Sequence, residues 1–347
     1  MKILHICAYA APYGGNFLKS LLFLDKEVQK KGYETVFCFP EKNKDLDWCK
    51  QLEVTYKVYY VPLAHARILL KTYLVLKRIF KENPDIVIAH SHFELYDEPL
   101  SITAPRSVKV FWHVHDAIGN YLHGLYKWVW KAHYNLFIKN VQLLSVSEKH
   151  KDVIINLGFP KERIHYVPNG IDTSTIDLVE STNKQPFVFT IFGWDYLRKG
   201  VDLAIDAMNN VKGMSQLHIV GGSNKEADTD KIRQIVPSKN INDIFKASSC
   251  FLHISRAEGL SYALLEALYF GLPVIVSDIP ENLITKDCPT AYYVKSESVN
   301  EIKDWMQRFV NEQYHCTTEE IMKTREIIDC QFSLIAWSKQ IIKHYGI

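Results

Sequence analysis

The chain has 347 residues, about twice the usual single-domain size, so length alone favours two cores. With 47% hydrophobic and 23% charged residues, 15 Gly and 13 Pro, it is not collagen-like, coiled-coil or disordered. A net charge of +2, from 41 Lys and Arg against 39 Asp and Glu, excludes a polyanion binder of the histone kind, and no nucleic-acid partner is expected.

The total conceals an asymmetry. Residues 1–175 carry 23 Lys and Arg against 17 Asp and Glu, net +6, together with 10 of the 14 His; the remainder is net −4. The basic half is therefore the one expected to face an anionic surface or acceptor. Seven scattered cysteines without a C-x-x-C pair indicate neither a disulfide framework nor a zinc site, and fit a reducing cytoplasm. No apolar run reaches the ~18 residues that a membrane span needs.

In chain order, Lys2–Tyr9 predicts a first buried strand rather than a signal peptide: the apolar run is short, contains His5, and leads into a Pro12-Tyr13-Gly14-Gly15 turn and a helix. Further β-rich runs follow at Thr35–Pro40, Lys57–Val61, Asp85–Ser91, Lys109–Asp116, Val141–Ser147 and Arg163–Val167, most of them separated by helical patterns. Turn chemistry at Pro168-Asn169-Gly170-Ile171-Asp172 opens a polar stretch that runs to Gln185-Pro186 and reads as a linker. A second set occupies Phe187–Gly193, Gln216–Gly222, Cys250–Ser255, Pro273–Asp278 and Ala291–Lys295. The alternation predicts an α/β chain of two doubly wound domains, 1–168 and 169–330. A C-terminal helix in 331–347, with Leu334, Ile335, Trp337, Ile341 and Ile342, is expected to pack back toward the first domain.

The richest stretch for chemistry is Glu258-Gly259-Leu260-Ser261-Tyr262-Ala263, followed by Glu266, directly after an apolar strand. A loop there hands over to a helix, so backbone N–H groups and the positive end of the helix dipole form an anion site. Glu258 and Glu266 read either as acceptors for vicinal hydroxyls or as solvated surface carboxylates. Arg198 and Lys199 stand together at another strand end, where two cations suit a diphosphate; the alternative is a solvated pair at a helix start, a place cations disfavour. Gly14-Gly15 lets backbone approach a phosphate. No G-x-G-x-x-G follows an early strand, which argues against a nicotinamide-dependent oxidoreductase. His90, His92, His113 and His115 close two strands, where an open α/β sheet presents ligands. Without an accompanying Asp-x-Asp pattern, no metal is expected there.

Together these residues resemble the retaining family 4 glycosyltransferases, whose GT-B architecture sets two Rossmann-like domains facing across a cleft. The motifs run in order: Gly14-Gly15, Asp85 to His90, His113-Val114-His115-Asp116, Val167 to Asp172, Arg198-Lys199-Gly200, Ile219 to Gly222, and the Glu-x7-Glu pair Glu258 and Glu266 before Gly271-Leu272-Pro273. The resemblance implies that Lys199 binds the diphosphate of a UDP- or GDP-linked sugar, Glu266 the ribose, and Glu258 the transferred hexose. It implies that the amides of Leu260, Ser261, Tyr262 and Ala263 cradle sugar and phosphate. Gly15 would close over the phosphate from the other domain, His115 would contact donor sugar and acceptor, and His90 and His113 would lie on the acceptor side. Catalytic roles then fall to His115 and Glu258, with no metal and no cofactor beyond the donor. Two departures stand out. Trp194 takes the place of an expected Arg, which leaves Arg198 to supply its charge, and the Gly222–Cys250 segment is short for a base-recognition region.

Two N-terminal segments, Arg67–Glu82 and Tyr121–Asn140, mix basic with apolar or aromatic residues, as an anionic headgroup layer would require; core-facing helices with solvated lysines are the alternative. The expectation is a cytoplasmic hexosyltransferase, peripheral at the inner membrane face, acting on a glycan or lipid-linked saccharide for cell-surface polysaccharide. A non-catalytic sugar-nucleotide-binding scaffold is the alternative.

Overall fold

Every strand pairing described is parallel, and the strands form two sheets. The computed structural model describes residues 1–62, 69–93, 95–115, 132, 141–178, 185–222, 229–238 and 240–347. The chain divides into one unit of Met1–Gly170 with Leu334–Ile347, and a second of Ile171–Ser333. The first holds β1 (Lys2–Cys7), β2 (Glu34–Pro40), β3 (Lys57–Val61), β4 (Ile86–His92), β5 (Lys109–Val114), β6 (Val141–Ser145) and β7 (Ile164–Tyr166) in the order β3-β2-β1-β4-β5-β6-β7. The second holds β8 (Phe187–Phe192), β9 (Ser215–Val220), β10 (Ile232–Ile235), β11 (Cys250–His253), β12 (Val274–Ser277) and β13 (Ala291–Val294) in the order β10-β9-β8-β11-β12-β13. Both are Rossmann-like orders, which reverse at β1/β4 and at β8/β11.

Helices cover the sheets, so central strands are buried on both faces and read as continuous β-branched and aromatic runs; β8, Phe-Val-Phe-Thr-Ile-Phe, is buried throughout. Most strands end one or two residues before the sequence reading has them end. β1 stops at Cys7, β5 at Val114 and β11 at His253. The residues beyond them form the loops at the sheet's carboxyl edge. β10 is a strand the sequence reading lacks. It is a four-residue edge strand paired only with β9, too short for its alternation to register.

The last helix, Leu334–Tyr345, follows the helix Thr318–Phe332 after a break at Ser333. Its buried Leu334, Trp337, Ile341 and Tyr345 lie three to four residues apart and pack on Ile3, Leu24, Val28, Phe111 and Leu144 of the first unit. Each such side chain contributes roughly 1.5–3 kcal/mol of burial. Tyr345 anchors it further, its hydroxyl bonding His90 Nδ1 at 2.6 Å and its carbonyl accepting from Lys109 Nζ at 2.9 Å.

The helix Leu69–Glu82 divides its two faces. Leu76, Ile79 and Phe80 are buried, whereas Leu70 and Leu74 are exposed beside exposed Lys71, Lys77, Arg78 and Lys81. The other basic and aromatic segment, Tyr121–Asn140, lies outside the described residues except for Ala132. Among the described residues, no helix is long and apolar enough to cross a membrane.

Candidate active site

In an open α/β sheet, connections leave in opposite directions at the order reversal and open a crevice at the strands' carboxyl ends. In the second unit the loops after β8 and β11 meet there. Lys199 Nζ lies 2.6 Å from Glu258 Oε1, and an Arg198 terminal nitrogen lies 3.2 Å from Glu258 Oε2. Arg198 also donates to the Ala257 carbonyl at 3.2 Å and to Asp195 Oδ2 at 2.8 Å. Neither Glu258 nor Glu266 is a solvated surface carboxylate: each is only 8% exposed. Burial opposes ionisation of Glu258. His253 and the Lys199 ammonium in contact with it more than offset that cost and hold the carboxyl down to about 2. Beneath it His253 is fully buried, and burial pushes its imidazole down to about 4.

Local backbone geometry places the two cations. Lys199 N–H donates to the Asp195 carbonyl at 2.8 Å, and Gly200 ends the turn at φ 74° as N-cap of the helix Val201–Asn209. A Cβ at Gly200 would collide with the Ile254 carbonyl oxygen, so glycine is required on two counts. Arg256, which the sequence reading passes over, braces this loop. Its N–H donates to the Arg198 carbonyl at 2.8 Å and its guanidinium to the Leu197 carbonyl. The same guanidinium holds Asp202 bidentately at 2.8 and 2.6 Å, and its Nε donates to Glu297 at 3.0 Å. The available signal was an Arg two residues before Glu258.

After β11, Ser261 caps the helix Tyr262–Phe270, its Oγ accepting from Leu264 N–H at 3.4 Å. Leu260, Ser261, Tyr262 and Ala263 thus make the entry of a helix whose second turn carries Glu266, on the β11 side of the Lys199–Glu258 pair. Trp194 supplies no charge. It is 52% exposed, its ring 5.6 Å from that of Phe192.

The first unit gathers the other expected residues at its own carboxyl edge. Gly14 caps the helix Gly15–Gln29, and Gly15 is left-handed at φ 56°, where a Cβ would stand 2.8 Å from the Tyr9 hydroxyl. His115, just past β5, is partly exposed and packs on Phe93 and Phe17 with ring centroids 4.5 and 5.7 Å away. Phe93 is held at φ 65°, a conformation that L side chains seldom adopt and that collects at functional sites. The expectation for His90 and His113 needs correction: both are fully buried, and His90 is tied to Tyr345. They stand two residues back from the strand-end positions of His92 and His115, so their side chains form a layer beneath rather than a surface for an acceptor.

Comparison with known proteins follows the division of the chain. The family model for Glycosyltransferase Family 4 matches residues 20–175, and that for glycosyl transferases group 1 matches residues 186–312. An uncharacterized glycosyltransferase of Methanocaldococcus jannaschii is 26% identical over 253 residues, which are 61% of this chain and 60% of the relative, so the chain matches less than two thirds of that protein's length. A lipopolysaccharide 1,6-galactosyltransferase of Salmonella typhimurium is 23% identical over 299 residues, 80% of each chain. The crystal structure of Anabaena HepE in complex with UDP superposes with a TM-score of 0.82 at 15% identity, covering all of both chains, and HepE has also been crystallised with UDP-glucose. Two family matches in sequence order, over two sheets of Rossmann-like order, place this chain among the family 4-like glycosyltransferases of GT-B architecture.

Proposed function

We propose that this glycosyltransferase moves a hexose from a nucleoside-diphosphate sugar to a hydroxyl of a glycan or lipid-linked saccharide, with retention at the anomeric carbon and without a metal ion at the diphosphate. One observation carries the reading: Lys199, Arg198 and Glu258 converge across the β8/β11 switch point beside the entry of the helix Tyr262–Phe270. Lys199, Arg198 and the helix amides would neutralise the departing diphosphate, which stabilises charge where it develops. Glu258, ionised and held by two cations, suits sugar hydroxyls as an acceptor. Buried Glu266 would take the ribose diol, and His115 the donor sugar and acceptor. With Glu258 so occupied, front-face transfer assisted by the leaving phosphate fits better than a covalent intermediate. HepE's complexes with UDP and UDP-glucose support a uridine donor as the first to try. The Salmonella relative supports a cell-surface saccharide as acceptor.

The test is release of nucleotide from a panel of UDP- and GDP-sugars, with and without acceptors. Wild type is expected to release UDP, while Glu258→Ala and Lys199→Ala lose at least a hundredfold. Equal inactivity of all three, with nucleotide still bound, would favour the scaffold alternative, for which the uncharged Trp194 is the supporting observation. Contact at the inner face of a membrane is part of the same proposal, and rests on the face of Leu69–Glu82 that sets Leu70 and Leu74 among four cations. Sedimentation with anionic but not neutral vesicles is expected, and reversing Lys71, Lys77 and Lys81 to Glu should abolish it; unchanged sedimentation would refute the contact.

A further inference from the structure

Five imidazoles crowd the order reversal of the first unit. Register sets them on one face: His5 of β1 pairs with His90 of β4, and His92 of β4 with His113 of β5. His90 and His92, like His113 and His115, are two residues apart, so the strand period turns all five to the same side. His92 is bound at both ring nitrogens, Nε2 to His5 Nδ1 at 3.0 Å and Nδ1 to His115 Nε2 at 3.2 Å. Both ring nitrogens of fully buried His113 have no hydrogen-bond partner among the described residues. Ligand nitrogens of His92, His113 and His115 all lie within 4.8 Å of one another.

We propose that His92, His113 and His115 form a binding site for a divalent transition-metal ion of the zinc class, with a fourth position open on the partly exposed side of His115. A His-x-His pair on one strand and a third His on its neighbour supply three nitrogens from rigid elements. Three imidazoles plus a solvent or substrate ligand is an established zinc coordination. With metal–nitrogen bonds near 2.0–2.1 Å, tetrahedral ligands stand ~3.3 Å apart, close to the 3.2 Å between His92 and His115. If His92 Nε2–H donates to His5, its Nδ1 lone pair turns toward His115. That is the outer hydrogen bond that orients metal-binding imidazoles, and Asn169 steadies His115 in the same way.

A second trio, His5, His90 and His92, also clusters, but all three are buried and His90 is committed to Tyr345. Of the two trios, the one with His115 is the one that includes a partly exposed ligand. A metal there would occupy the His115 nitrogen that the transfer reading offers to substrate, so zinc should inhibit. The site itself rests on geometry and does not depend on that reading.

The full chain, stripped by chelator, is titrated with Co(II) and then Zn(II). One equivalent of Co(II) with the visible spectrum of a four-coordinate site is expected, displaced by one equivalent of Zn(II). His115→Asn and His113→Ala should each weaken binding at least tenfold, and His5→Gln by ten- to a hundredfold. His90→Ala, in the same patch but outside the trio, should retain it. Circular dichroism checks each variant, and His115→Asn, at the exposed end, keeps the test open if substitution at buried His113 disturbs folding. Failure to bind micromolar Co(II), a six-coordinate spectrum, or full affinity in His115→Asn would overturn the site. Nucleotide release by the metal-free chain is read separately, so loss of either proposal leaves the other standing.

Discussion

Replacing Lys199 by Met removes the cation and keeps most of the side chain's volume, leaving Arg198, at 3.2 Å, as the cation still in contact with Glu258. In the folded chain Glu258 is held near 2, against an ordinary value of 4.5. At ~1.4 kcal/mol per unit, that difference is worth about 3 kcal/mol of stability at neutral pH. His253 and then Lys199, in contact at 2.6 Å, hold the carboxyl down, so removing Lys199 should cost part of that sum, on the order of 1–2 kcal/mol. Breaking a buried pair typically costs 3–5 kcal/mol, which makes this a low figure, as expected with Arg198 still in place. A carboxyl with a depressed folded-state pKa contributes its full stability above the unfolded value of 4.5 and loses it as pH falls toward 2. Urea unfolding of both proteins across pH 7 to 2.5 should therefore show a gap that is widest at neutral pH and shrinks below 4.5. An equal gap at pH 7 and pH 2.5 would refute the reasoning, because lost packing does not titrate.

Two further outcomes follow from the loop that carries this cation. Gly200→Ala places a Cβ against the Ile254 carbonyl oxygen at φ 74°, and should cost at least ~1–3 kcal/mol in a denaturant melt; a neutral effect would mean that the turn relaxes freely. Arg256→Gln removes the brace on the Leu197 and Arg198 carbonyls and leaves Asp202 without its bidentate partner, so donor affinity by calorimetry should fall about tenfold while circular dichroism stays unchanged. Wild-type affinity would show that the loop holds its shape without Arg256.

The backbone was the most legible part. Apolar β-branched runs alternating with helical patterns forecast twelve of the thirteen strands among the described residues, and what they missed was β10, whose four residues include one exposed arginine. Strand ends were overrun because the carboxyl-edge residues remain apolar or aromatic after the ladder stops, as Ala8 and Tyr9 do past β1. The candidate site was legible as a set of residue types but not as an electrostatic arrangement. Glu258 and Glu266 read in the sequence equally as hydroxyl acceptors or as surface carboxylates, and only the folded unit shows both to be buried. The engagement of Arg198 and Lys199 with Glu258 is a contact about sixty residues apart in the chain, which no local pattern encodes. The histidine patch shows the same limit. His-x-His spacing is visible in the sequence, but only the register of β1, β4 and β5 shows that His5 joins the patch and that His113 is sealed within it.

Trp194 is neutral, and the two cations that face Glu258 at the second unit's switch point are already in contact with it, which constrains how a donor would be taken up. A phosphate alone would draw Lys199 and Arg198 away and leave a buried carboxylate unpaired, at the steep cost that an isolated buried charge carries. A free sugar would offer hydroxyls to Glu258, whose oxygens keep spare lone pairs, but would give the two cations no acceptor in exchange. Under the proposed function an intact sugar diphosphate would meet both needs at once: its hydroxyls would donate to the carboxylate as its phosphate oxygens accepted from the cations. Once the sugar had left, the nucleoside diphosphate would stand in the first, costly situation, and re-forming the Lys199–Glu258 pair would help to expel it. The ion pair seen in the ligand-free chain would then be the mechanism by which substrate is held in preference to product.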